Sequence, residues 1–158
     1  MENTTTPWHD SVVTPALLRH ARNTYGSAMR RALDAAGYDD IPGNGLYLIG
    51  GLALEREDVP LGQLIRELRV TKQSAGQLVD QLVLRGYIER SADPADRRKL
   101  TVSLTERGRA AAAIQTDARE AIDTALVAQV GMDVAEKMRA GLAALIDIDR
   151  AARETEGE

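Results

Sequence analysis

Between Thr71 and Thr105 the spacing of apolar residues changes once, from a three-and-four repeat to strict alternation, and that change leaves few folds open. Ala75, Leu78, Val79 and Leu82 form the buried stripe of a helix, with Lys72, Gln73, Gly76, Gln77 and Gln81 left on its other side. Thr71 stands where a hydroxyl can cap that helix, and Gly86 stands where a glycine can end it. Tyr87, Ile88 and Glu89 then read as a strand, followed by a charged loop from Ser91 to Arg98. Leu100, Val102 and Leu104 alternate with Thr101, Ser103 and Thr105, the pattern of a half-buried strand. Just upstream, Leu61, Leu64, Ile65 and Leu68 mark a shorter helix with Pro60 at or before its first turn, broken at Val70 and Thr71. Two short helices joined by a tight turn, then a hairpin with a basic tip, predict a helix-turn-helix followed by a wing.

The flanks are helical. Thr14 is placed to cap a first helix with Pro15 in its opening turn; Leu18, Ala21, Tyr25, Ala28 and Ala32 follow at helical spacing, and Gly37 ends the run. Leu46 to Leu54, entered through Pro42, Gly43, Asn44 and Gly45, is apolar on nearly every side and reads as a buried helix. After Thr105, Ile114, Ala118, Ile122, Leu126 and Val130 recur every fourth residue; beyond Gly131, Val134, Met138, Leu142, Leu145 and Ile146 line a last helix. These stripes exceed what the central module can cover, so the surplus predicts a homodimer. The expected architecture is mainly α, an α+β winged helix with about six helices and a two-stranded wing. It comprises a flexible segment over 1–13, core and dimerisation helices over 14–55, the winged module over 56–108, dimerisation helices over 109–152 and a frayed tail over 153–158.

Charge sharpens this reading. The 158-residue chain carries 20 basic and 24 acidic side chains, a net charge of −4 that on its face disfavours a nucleic-acid partner. Residues 60–109, however, hold ten of the basic residues and only six of the acidic ones, so a positive module sits inside an acidic frame. There are no cysteines, which removes thiol nucleophiles, thiolate metal sites and disulfides together and fits a cytoplasmic location. The first eight residues lack the basic and apolar regions of a secretion signal, and no run of eighteen apolar residues occurs, so no membrane partner is expected. No glycine-rich phosphate loop, nucleophile beside a base, or His/carboxylate pair appears; neither an enzyme nor a cofactor is expected.

The segment Asp93-Pro94-Ala95-Asp96-Arg97-Arg98, with Val102, Leu104, Thr105 and Gly108 after it, resembles the MarR family of bacterial transcriptional regulators. A second match precedes it in order: Val70-Thr71-Lys72-Gln73-Ser74, Gln77-Leu78-Val79-Asp80, Leu82 and Arg85-Gly86-Tyr87-Ile88. The resemblance covers roughly residues 60–108. It implies a dimer built from the outer helices, pseudo-palindromic operator DNA as partner, and in many members a small, often aromatic effector that releases the DNA. It also implies that Arg98 is the wing arginine of the minor groove and that Asp96 is the carboxylate holding it.

The DNA-binding candidates are therefore Thr71, Lys72, Gln73, Ser74, Gln77, Arg97, Arg98 and Lys99, with Asp96 as wing support. Gln73 and Gln77 lie four apart, and an amide can donate and accept at once, as bidentate readout of adenine requires. A narrow minor groove attracts a guanidinium whether or not a base is read, while Arg97 and Lys99 suit phosphates. The plain alternative for all of them is a solvated surface. Gly76 weakens its helix, which suggests close approach of DNA or of a neighbouring helix. Tyr25, Tyr47 and His20 are the effector candidates, with Trp8 and Tyr38 nearby in the chain; ordinary core packing is the alternative for the aromatics. His9 and His20 are the only histidines and provide no four-ligand metal site. The competing functions are a winged-helix module that binds protein rather than DNA, and a regulator without a ligand response.

Overall fold

The computed structural model describes residues 7–54, 59–68 and 71–156, the side chains of 64, 65, 67, 68 and 156 excepted. The break at Val70 and the Leu64, Ile65 and Leu68 side chains of the expected stripe lie outside the described residues. The chain divides into two units, Met1–Arg119 and Glu120–Glu158.

The first unit opens with a single 3-10 turn, Trp8–Ser11, inside the segment expected to be flexible. Helix α1 spans Thr14–Ala35. Its cap is Val13, not Thr14: the Val13 carbonyl accepts from the N–H groups of Ala16 and Leu17 at 2.9 and 3.2 Å, so Thr14 is already helical and Pro15 sits in the first turn, where no N–H is needed. At the other end Gly37 has φ +83°, its N–H donating to Asp34 O while Tyr38 N–H donates to Leu33 O, the paired bonds of a left-handed glycine stop. Helix α2 is Gly45–Leu54, α3 is Leu61–Leu68, and α4 is Lys72–Leu84. Helix α4 ends as α1 does: Gly86 has φ +74°, Gly86 N–H donates to Val83 O and Tyr87 N–H to Leu82 O.

The sheet has three strands, not the two expected from the sequence, in the order β1-β3-β2, with β1 at Val59–Pro60, β2 at Ile88–Ala92 and β3 at Leu100–Leu104. All pairings are antiparallel: Val59 faces Val102 and Pro60 faces Thr101 on one side of β3, and Ile88 faces Leu104 through to Ala92 facing Leu100 on the other. A strand of two residues is too short to show alternation. Pro60 belongs to this edge, where a missing N–H is tolerated, rather than to the helix that starts at Leu61. Because β3 is thereby central, its burial departs from simple alternation: Thr101 is buried and bonds Ser91 O at 3.3 Å through its hydroxyl, whereas Leu100 is exposed.

Met29 and Leu33 of α1, Leu46, Leu48, Ile49 and Leu52 of α2, Val79 and Leu82 of α4, and Tyr87, Ile88, Val102, Leu104, Ala111 and Ala112 form one core. Leu78, the fourth member of the α4 stripe, is only partly buried against it. Helix α5, Glu106–Val130, starts on this core. Thr105 caps it, its Oγ1 accepting from Gly108 N–H at 3.0 Å while donating to Gly86 O at 2.5 Å. One hydroxyl therefore ties the start of α5 to the end of α4.

The second unit holds the end of α5 and helix α6, Met132–Glu156, separated by Gly131 at φ +84°. Residues 153–156, placed by the sequence in a frayed tail, continue α6, with Arg153 paired to Asp149 at 3.0 Å. Val134, Met138, Leu142, Leu145, Ile146 and Ile148 are all exposed along it.

Candidate DNA interface

Thr71 caps α4 as its position predicts: its Oγ1 accepts from Ser74 N–H at 3.1 Å and donates to Ser74 Oγ at 2.9 Å. This bond fixes the first turn, on which Lys72, Gln73 and Ser74 are exposed; Gln77 is exposed one turn on. No acidic side chain occupies that turn, so the partial positive charge of the helix N-terminus stands unopposed. Among the described residues, a Cβ on Gly76 would meet nothing within 4 Å.

Arg97, Arg98 and Lys99 are exposed at the tip between β2 and β3. The tip is a built turn. Ala95 N–H donates to Asp93 Oδ1 at 2.7 Å, Arg98 N–H to Asp96 Oδ1 at 3.1 Å, Lys99 N–H to Asp96 O at 2.8 Å and Asp93 N–H to Lys99 O at 2.9 Å. The Asp96 carboxylate therefore holds Arg98 by its backbone, leaving the direction of the guanidinium to the turn as a whole. At the wing's base, Arg90 of β2 forms an ion pair with Asp80 of α4, joining the wing to the helix.

Sequence reasoning missed a second cluster. Asp40, in the loop between α1 and α2, accepts from the Tyr87 hydroxyl and from Arg107 Nη2 at 3.2 and 3.4 Å, and its carbonyl accepts from Arg85. Arg107 also donates to Tyr87 Oη at 3.1 Å and lies 4.6 Å from the Tyr87 ring centre. The Tyr87 bond above all, helped by Arg107, holds the Asp40 carboxyl below its usual range; burial first, then the Asp40 contact, pushes the Tyr87 phenol up. These partners lie 45 to 67 residues from Asp40, so no local pattern announces them.

Of the effector candidates, Tyr47 lines a cleft of about 530 Å³ shared with Asn23, Gly26, Ser27, Arg30, Arg31, Gly43 and Leu46. The Arg22 guanidinium stacks 4.2 Å from the Tyr47 ring centre. Tyr25 packs partly buried against the core, and His20 is exposed on α1. Among the described residues no group of three or more His, Asp or Glu could hold a metal, and no helix is long and apolar enough to cross a membrane.

A capped helix with an exposed polar N-terminal face, led by a shorter helix and followed by a hairpin with a basic tip, defines a winged helix-turn-helix protein. Residues 46–99, which include α4, β2 and the basic tip, match the MarR family model. The fold agrees over most of the chain. FabT of Streptococcus pneumoniae, solved in complex with DNA, superposes with a TM-score of 0.74 at 22% identity, covering 87% of this chain and 96% of that one. MepR of S. aureus in a DNA-binding conformation gives 0.70 at 20% identity, covering 86% and 98%. A probable transcriptional regulator from Pseudomonas aeruginosa gives 0.65 at 28% identity, covering 84% and 96%. No curated protein matches the chain by sequence.

Proposed function

We propose that the protein is a homodimeric, sequence-specific DNA-binding regulator, a repressor of pseudo-palindromic operators released by a small effector. The observation that carries this reading is the pairing, in one module, of an unobstructed polar face on α4 with a hydrogen-bonded turn that presents Arg97, Arg98 and Lys99. DNA complexes of FabT and MepR, which share the fold, support it. A two-fold dimer would set two α4 helices in successive major grooves, about 34–36 Å apart. The deciding experiment recovers bound duplexes from a random pool: a near-palindromic site with a one-turn repeat is expected, and no enrichment would overturn the reading in favour of a protein-binding winged helix.

Base readout belongs to Gln73 and Gln77. Alanine at either position should weaken binding by about 1–3 kcal/mol at one symmetric pair of base positions and make operator variants there bind alike. A uniform loss over all sequences would assign the glutamines to phosphates instead.

The exposed apolar side chains of α6 support dimerisation, because a chain in water covers such a face when it can. Removal of residues 133–158 should expose the remainder of that surface and give aggregated or unfolded protein by light scattering and circular dichroism. A soluble monomer with unchanged DNA affinity would refute the dimer.

The Tyr47 cleft, bordered by Arg30 and Arg31, suits a planar anionic effector. Such a ligand must favour the arrangement that cannot bind DNA, with coupling of about 1–3 kcal/mol. In a screen against the recovered operator, Tyr47→Ala should lose the response and keep ligand-free binding, whereas Tyr25→Ala, a core substitution, should register first in thermal stability. An undiminished response in Tyr47→Ala would place the effector elsewhere.

A further inference from the structure

The loop between α1 and α2 is gripped from two sides. Arg30 of α1 donates to the carbonyls of Ile41 at 2.7 Å and Pro42 at 3.4 Å. One residue earlier, Asp40 takes the Tyr87 hydroxyl and the Arg107 guanidinium on its carboxylate and the Arg85 guanidinium on its carbonyl. Arg85 and Tyr87 flank Gly86, whose left-handed turn ends α4, and Arg107 lies in the first turn of α5. The same loop continues into Gly43, a wall of the Arg30–Tyr47 cleft.

We infer that Asp40 is a positioning residue for DNA binding: by engaging Arg85, Tyr87 and Arg107 together it sets how α4 leaves its terminal turn, and it links that geometry to the loop bordering the cleft. The inference rests on the regulator reading of the winged module. Its physical basis is that one carboxylate holds the Arg107 guanidinium and a phenol whose ring is fully buried, while the carbonyl of the same residue holds Arg85. Without the carboxylate Arg107 loses its counter-charge and the phenol, anchored by its ring, loses its acceptor. The ring cannot leave the core, so the adjustment falls on the turn at Gly86.

The sign of the effect separates positioning from simple electrostatics. Neutralising Asp40 makes the module more positive, which by charge alone tightens binding to DNA. Positioning requires the opposite. Asp40→Ala, Asp40→Asn, Arg107→Ala and the Asp40→Ala/Arg107→Ala pair would be compared with the full-length protein on the recovered operator, well below each melting temperature, and hydrogen exchange would be followed at the Gly86 and Tyr87 amides. Asp40→Ala should weaken binding about tenfold, the scale of a lost charge-assisted hydrogen bond. Asp40→Asn, whose amide oxygen still accepts from Tyr87, should recover part of that loss, and the double variant should be little worse than Asp40→Ala. Exchange at Gly86 and Tyr87 should quicken while the second half of α5 stays unchanged. Unchanged or tighter binding, fully additive losses, or unaltered exchange at the α4 terminus would each overturn the inference. If the wild type enriches no duplex, the regulator reading fails, and Asp40 then has no DNA-positioning role whatever the exchange shows.

Discussion

Gly108→Ala should lower the unfolding free energy by about 3 kcal/mol, the upper end for an overpacked core, which for a chain of this size shifts the melting temperature by roughly 6–12 °C. A Cβ at that position would stand 2.0 Å from the carbonyl oxygen of Tyr87, 3.0 Å from its carbon and 3.1 Å from Leu104 Cδ2. The obstacle is backbone, and it is pinned: the same carbonyl accepts Thr105 N–H at 3.1 Å, and the Tyr87 side chain is fully buried. Room can be made only by moving the start of α5 away from the end of α4, which breaks the Thr105 bridge between them. Gly76→Ala is the control. Its Cβ meets nothing among the described residues, so the substitution should add about 0.5–1 kcal/mol of helix stability in the same calorimetric measurement. A Gly108→Ala protein that melts with the wild type would show that the packing of α5 on Tyr87 is not as close as described.

Arg98→Ala should weaken operator binding about 10- to 100-fold and flatten the dependence of log K on log salt by about 0.9 for each phosphate charge no longer neutralised. Loss of a minor-groove cation should affect most operators together, since that groove distinguishes A·T from T·A poorly. The wing geometry adds a sharper expectation. Asp96 bonds the Arg98 backbone, not its side chain, so Arg98→Ala leaves that bond intact. Asp96→Ala should therefore weaken binding further in the Arg98→Ala background, through a loosened turn that also carries Arg97 and Lys99. Asp96→Asn, which keeps an acceptor oxygen, should be milder. Fluorescence anisotropy over a salt series measures both the affinity and the slope. If the double variant Asp96→Ala/Arg98→Ala binds no worse than Arg98→Ala, the carboxylate acts only through the guanidinium, and the backbone bond has no part in binding.

The local elements were legible because each has a local cause. Thr71 caps α4 through a residue three positions on, Gly86 ends it with bonds spanning three and five residues, and the stripe at Ala75, Val79 and Leu82 is buried as its spacing requires. The wing was legible from the alternation of β3 and the charged tip, as was the surplus of apolar side chains on α6. Neighbours in sequence must satisfy one another's hydrogen bonds and share a face, so their pattern carries the information.

Contacts between distant parts of the chain carry no such pattern. The two-residue strand β1 exists only because β3 offers it an edge, and that pairing buries Thr101 while Leu100 remains in solvent. Gly108 reads as an ordinary helix glycine until the Tyr87 carbonyl is set against it, and Tyr47 differs from Tyr25 only once α1 and α2 are packed, one tyrosine bordering a cleft and the other lying against the core. Asp40 is one of two adjacent aspartates in a loop, yet the fold gathers a phenol and two guanidiniums around it from the end of α4 and the start of α5. The sequence by itself determined the elements, their ends and the chemistry available on α4 and the wing. Tertiary structure alone decided which distant side chains hold those elements at a working angle, because that depends on how α1, α4 and α5 pack and not on the spacing within any one of them.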